Sequence, residues 1–210
     1  MQIYVIRHGE TEWNKEEIFR GRKDIPLNEA GKRQAKWVGL YFSEKRIDRL
    51  VSSPLSRAVQ TAEPISKATG AAVEPMEEFT DINFGIWEGL PLREVEERYP
   101  SDLKLWKESP EKLRIEGGES LAMVRERISG GFGKITAGEE GTIAVATHRV
   151  ICKVIVLHFL RIGNEHFWDI KFDPGSITLL EHKGAKSTLV FSNDRCHLKE
   201  ELFNKQYRDF

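Results

Sequence analysis

The chain has 210 residues, with 32 lysines and arginines against 33 aspartates and glutamates, for a formal net charge of -1. That balance argues against a dedicated nucleic-acid or membrane surface, and the length suits a single α/β domain whose core needs no disulfide or structural metal. Its two cysteines, Cys152 and Cys196, match no metal-ligand spacing, and the sequence shows no signal-peptide pattern and no apolar run long enough to span a bilayer. A reducing cytoplasm is the expected location.

The first element is an apolar run, Gln2-Ile3-Tyr4-Val5-Ile6, that stops at Arg7-His8-Gly9-Glu10. It reads as a buried strand, with Arg7 and His8 where strand becomes loop. In open α/β sheets ligands bind at that edge. Arg7 offers a planar fork of donors suited to phosphate, and His8 is a nitrogen nucleophile when unprotonated. An isolated Arg-His pair is ordinarily a solvated charge beside a strand cap, so the weight falls on what the rest of the chain adds.

A helix is predicted from Asn28 to Ser43, with Ala35, Val38 and Phe42 at helical spacing, and a second strand at Leu50-Val51-Ser52. Ser53-Pro54 ends that strand and is expected to open the next helix with proline at an early position, which puts Arg57 in the first turn. Free amides and the positive end of the dipole there already favour an anion, and an arginine reinforces it. Gly70 ends this helix, and Ala71 to Pro75 reads as a third strand. The glycine- and aromatic-rich segment Phe79 to Gly89 is either a pocket wall or a surface loop that tucks Phe84 and Trp87 into the core, and the segment alone favours the core.

Two short helices, Pro91 to Tyr99 and Ser101 to Glu108, form an insertion at about 86–116, with Leu92, Val95, Leu103, Leu105 and Trp106 as inward candidates. Gly117-Gly118-Glu119-Ser120 opens an amphipathic helix to about Ile135, read as architectural. Thr142 to Thr147 is the clearest buried strand, and it stops at His148-Arg149 as the first stopped at Arg7-His8. A buried helix from Val150 to Leu160, two strands near Ser176 to Glu181 and Ser187 to Phe191, and a polar tail with aromatic anchors complete the chain.

Strand-helix alternation predicts a three-layer α/β/α sandwich around a mostly parallel sheet, whose carboxyl edge collects Arg7, His8, Arg57 and His148. Two arginines and two histidines there suit a phosphate dianion: the arginines neutralise it, one histidine attacks phosphorus and the other steadies the equatorial oxygens. A histidine metal site is the competing reading, but the arginines would repel a cation. Neither metal nor cofactor is expected.

The stretch Arg7-His8-Gly9-Glu10-Thr11-Glu12-Trp13-Asn14 resembles the signature of the histidine phosphatase superfamily, in its phosphoglycerate mutase-like branch. The segments Ser53 to Ala62, Phe84-Gly85-Ile86-Trp87-Glu88-Gly89, Gly117 to Ser120 and the strand ending at His148 follow in the family's order. The resemblance implies a phosphoglycerate mutase-like fold and a phosphohistidine on His8. It implies that Arg7, Arg57 and His148 bind the phosphoryl group, that Asn14, Arg20 and Gly21 line the pocket, and that a general acid stands at Asp81. Relatives usually show glutamate there, and Glu10 and Glu88 are the weaker alternatives. At Arg149 many relatives carry glycine, so its charge either adds to the phosphate field, the reading preferred, or faces solvent. The expected activity is a metal-independent phosphomonoesterase acting on a small phosphorylated metabolite. A cofactor-dependent mutase and a catalytically weak phosphate-binding module are the alternatives, and a homodimer is compatible with the chain.

Overall fold

A computed structural model describes residues 1–136 and 141–198. The aromatic tail expected beyond them lies outside the described residues. Six strands, β1 (Gln2–Arg7), β2 (Arg49–Ser52), β3 (Val73–Pro75), β4 (Thr142–Thr147), β5 (Ile177–Lys183) and β6 (Lys186–Asp194), form one sheet in the order β3-β2-β4-β1-β5-β6. The helices are α1 (Glu12–Lys15), α2 (Glu29–Tyr41), α3 (Ser56–Thr69), α4 (Leu92–Arg98), α5 (Pro100–Glu108), α6 (Leu121–Ile135) and α7 (Arg149–Leu160). β1 to β4 pair in parallel, while β5 runs antiparallel to β1 and β6 antiparallel to β5. The last two strands turn directly through Gly184, which sits at φ 60°, whereas parallel neighbours need a crossover helix.

Side chains of β1 and β4 alternate between two cores. Tyr4, Ile6, Ala144 and Ala146 pack with Val38, Phe42, Ala62 and Ile65 at α2 and α3. Ile3, Val5, Ile143 and Val145 pack with the apolar faces of α6 and α7. This produces the three layers, and each fully buried aliphatic side chain such as Val38 contributes roughly 1.5–3 kcal/mol. Asn28 caps α2 by accepting from the Gly31 amide at 2.9 Å, and Ser120 caps α6 by accepting from Met123 at 3.3 Å.

The parallel register positions the carboxyl edge. Arg7 is opposite Thr147, so His8 and His148 each begin the loop one residue beyond a paired position. Glu10 is drawn onto the start of α2: its amide donates to Gln34 Oε1 at 2.7 Å, its carbonyl accepts from the Asn28 amide at 3.0 Å, and its carboxylate accepts from Asn28 Nδ2 at 2.8 Å. The contact leaves no room for a side chain. A Cβ on Gly31 would lie 2.1 Å from the Glu10 carbonyl oxygen, and one on Gly9 would lie 2.6 Å from the Gly31 carbonyl oxygen.

Some expectations shift. Pro54 lies ahead of α3 rather than within it: Leu55 is the extended N-cap, and Ser53 Oγ accepts from its amide at 3.2 Å, so Ser-Pro builds a turn before the helix begins. Arg57 still falls in the first turn. Leu105, expected inward, is 36% exposed, because Leu103 and Trp106 already fill the inward stripe of α5 and Leu105 falls on its far side. Phe84 and Trp87 are buried as the segment suggested, with Phe84 meeting the rings of Phe19 and Trp106 edge-on at 5.1 and 5.5 Å.

Replacing Gly31 by alanine should destabilise the protein by roughly 1–3 kcal/mol, because backbone crowding outweighs the helix-propensity gain of about 1 kcal/mol. Urea denaturation of Gly31→Ala checks this, and an increase in stability would show that the loop yields freely.

Candidate active site

Four elements meet at the carboxyl edge. His8 follows β1, Ser53 follows β2, His148 follows β4 as the N-cap of α7, and Arg57 lies in the first turn of α3. Arg7, His8, Arg57 and His148 are each at most 3% exposed, and Asp81 is 5% exposed. The two imidazole centroids are 5.2 Å apart.

The tautomer of each ring follows from its partners. His8 Nδ1 stands 2.6 Å from the Gly9 carbonyl oxygen, which can only accept, so Nδ1 carries the proton. Nε2 has no hydrogen-bond partner among the described residues. In the neutral ring that nitrogen keeps its lone pair. His148 is protonated the other way round: Arg57 Nε can only donate, and it donates to Nδ1 at 3.1 Å, which leaves Nε2–H to donate to Ser53 Oγ at 2.7 Å. Burial, then Arg57, Arg7 and Arg20, hold the His8 pKa well below the ordinary histidine value. Burial, then Arg57, His8 and Arg20, do the same for His148.

The arginines are held by oxygen acceptors. Arg57 donates to the carbonyls of Gly21 at 2.8 Å and Lys23 at 2.7 Å, and to Asp81 Oδ2 at 3.3 Å. Arg7 donates to the Phe172 carbonyl, and the Gly175 amide closes back on the carbonyls of Arg7 and His8. Asp81 Oδ2 is also 3.6 Å from His148 Nδ1, while Oδ1 accepts from the Ile82 amide at 3.0 Å.

Beside this cluster, Arg20, Gly21, Asp81 and Arg149 line a small pocket with Ile18, Phe19, Phe84 and Val150. Gly21 sits at φ 51°, and a Cβ there would come within 2.0 Å of Glu88 Oε1. Arg149 is 6% exposed, so its side chain does not face solvent. Asn14 Oδ1 accepts from the Thr11 amide and hydroxyl at 3.0 and 2.9 Å, closing the start of α1. The weaker acid candidates are bound up in loop structure, Glu10 on Asn28 and Glu88 on the amides of Arg22 and Phe84. Cys152, one turn into α7, has its thiol pKa pushed up by burial, so it offers no thiolate.

Supports to which no individual role was assigned from the sequence complete the site. Thr61 Oγ1 accepts from the Gly9 amide at 3.1 Å and donates to the Arg57 carbonyl at 2.8 Å, coupling the two loops. Arg127 of α6 donates to the carbonyls of Glu78 and Asp81 and grips both oxygens of Glu119, which accepts from the Asn83 amide and pairs with Arg22 at 3.2 Å. α6 therefore pins the Asp81 segment, beyond the architectural part expected of it.

A family model described as "Histidine phosphatase superfamily (branch 1)" matches residues 3–195. The chain belongs to the histidine phosphatase superfamily. This histidine phosphatase is 32% identical over 201 residues to Phosphoserine phosphatase 1 of Hydrogenobacter thermophilus, covering 95% of both chains. It is 36% identical over 133 residues to "Uncharacterized phosphatase PhoE" of Bacillus subtilis, covering 63% of each. Among solved structures it resembles Bacillus stearothermophilus YhfR at a TM-score of 0.88 and 26% identity, over 93% of this chain and 98% of that one. The phosphoglycerate mutase-like sandwich expected from the sequence is thereby found. Among the described residues no helix is long and apolar enough to cross a membrane.

The depressed histidine pKa values carry a sign. Below about pH 6.5 the unfolded chain binds protons at His8 and His148 that the folded protein refuses, so acidification lowers stability. His8→Gln should flatten this dependence by up to one proton, about 1.4 kcal/mol per pH unit, in urea titrations run from pH 7 to pH 5.5. An unchanged slope would mean that His8 is not held neutral.

Proposed function

We propose that this phosphatase hydrolyses small phosphomonoesters through a phosphohistidine on His8, without metal, in the cytoplasm. The observation that carries the reading is the buried, unprotonated Nε2 of His8 beside a guanidinium cluster. An arriving phosphoryl dianion competes with Asp81 for Arg57 and with Ser53 for the Nε2–H of His148. Arg7 and Arg57 spread its charge.

The His8 Nε2 lone pair then attacks phosphorus, the ester P–O bond breaks, and Asp81, which takes a proton from solvent when the dianion displaces it from Arg57, passes that proton to the leaving oxygen. Water next attacks the phosphohistidine, the P–N bond breaks, Asp81 takes up the proton, and inorganic phosphate departs. Hydrolysis is favoured over mutase transfer because the relative matched over 95% of the chain is named a phosphatase, while a "Probable phosphoglycerate mutase" matches 61% of the chain. The arginines supply the neutralisation that a metallophosphatase takes from its ions.

His8→Ala should remove turnover while inorganic phosphate still binds. Asp81→Asn should slow hydrolysis of an alkyl phosphate by roughly 10²–10⁴-fold and spare nitrophenyl phosphate, whose anion leaves without a proton. Steady-state rates on the two esters decide it: equal losses on both would remove Asp81 from the acid role, and an active His8→Ala would end the mechanism.

A further inference from the structure

A cavity of about 500 Å³ opens at the opposite edge of the sheet, where the His182 amide donates to the Met1 carbonyl at 2.9 Å and β1 begins. β1 has 6 residues, so at about 3.3 Å per residue roughly 20 Å separates this edge from the one that carries His8. The volume is that of a small-molecule pocket. Two guanidinium groups, Arg125 and Arg161, and two imidazoles, His158 and His182, line it, and no carboxylate does so among the described residues.

α6 and α7 both end at this cavity, and cations at a helix C-terminus ordinarily serve its last carbonyls. Arg125 does so, donating to the carbonyls of Leu157 at 3.0 Å and Ile162 at 2.8 Å and to Asn164 Oδ1 at 3.0 Å. The amides of Arg161 and Ile162 close the rest, on the carbonyls of His158 at 3.2 Å and Leu157 at 3.0 Å. The Arg161 side chain is therefore surplus to the helix. Its guanidinium has no acceptor among the described residues, and its backbone sits at φ 57°, where glycine would serve as the cap with less strain. It offers the cavity an uncommitted fork of donors. Burial, then Arg125 and His182, hold the His158 pKa below the ordinary histidine value, so near neutrality that ring brings an N–H rather than a charge. His182 is fixed through Nδ1, 2.9 Å from Ser187 Oγ. Phe132 and Phe159 meet edge-on at 4.7 Å and form an aromatic wall. A Cβ on Gly133 would meet nothing within 4 Å, so α6 leaves the space open there.

We propose that this cavity is a second binding site, remote from His8, for a small organic anion whose charged group is held by Arg161 and the two imidazoles and whose flat apolar body lies against Phe132 and Phe159. The charged group receives charge-assisted hydrogen bonds from the one guanidinium that the fold leaves uncommitted there. The apolar body removes aromatic surface from water.

Two fluorescent probes of one shape test this: anilinonaphthalene sulfonate, a flat aryl anion, and phenylnaphthylamine, the same rings without the sulfonate. Wild type should bind the sulfonate at one saturable site about tenfold or more tighter than the neutral amine, as expected of a hydrogen bond to a charged group. Arg161→Gly, which relieves the positive φ, should leave the urea midpoint no lower, cut sulfonate affinity by about tenfold and leave the amine nearly unchanged. Gly133→Trp should fill the cavity and abolish binding of both probes. Inorganic phosphate, added at concentrations that inhibit hydrolysis of nitrophenyl phosphate, should displace neither. Equal wild-type affinities for the two probes, a sulfonate affinity unchanged in either folded variant, or competitive displacement by phosphate overturns the site.

Discussion

The hydrogen bond between His8 Nδ1 and its neighbour's carbonyl is the constraint on which the site depends. It spans one residue, so it needs the backbone of Gly9 in one particular place, and the structure sets that place from several directions. Thr61 holds the Gly9 amide, Gln34 holds the Glu10 amide, and Gly31 lets the loop lie against the first turn of α2. Together they make one ring nitrogen a donor to the protein and leave the other, stripped of water by burial, as a lone pair. A solvated histidine would be partly protonated near neutrality and free to exchange tautomers.

Burying guanidinium groups around that lone pair is costly unless each meets acceptors. The protein answers with backbone carbonyls: Gly21 and Lys23 for Arg57, Phe172 for Arg7, Trp13 for Arg20. Carbonyls solvate the cations without neutralising them, so the positive potential survives for a substrate. Asp81 is the carboxylate that pairs with Arg57, and a phosphoryl dianion is its natural competitor there. Burial first, and then the same field, keeps both histidines neutral, so nucleophile and anion cradle depend on one buried, positive environment.

Much of this was legible in the chain because it is written locally. An apolar strand that halts at Arg7-His8 and another that halts at His148 announce the reactive edge, and the parallel register brings them level. The expected helices fall within a few residues of their observed bounds because their caps, Asn28 and Ser120, are local signals. What was not legible is long-range. Thr61, Gln34, Arg127 and Glu119 look like ordinary polar helix or loop residues, and only tertiary contact shows that they hold Gly9, Glu10 and the Asp81 segment. Asn14 belongs to the signature, and its side-chain oxygen also closes a turn at Thr11, a structural part that its place in the signature does not show. Leu105 was misplaced because apolar character alone does not say which side of α5 faces the core.

The most direct measurement is the protonation of the His8 ring, read by ¹⁵N NMR of the imidazole-labelled protein near pH 7. The account predicts a neutral ring with the proton on Nδ1 and a bare Nε2, persisting below the pH at which a solvated histidine titrates. A ring protonated on Nε2, or an imidazolium at neutral pH, would contradict it.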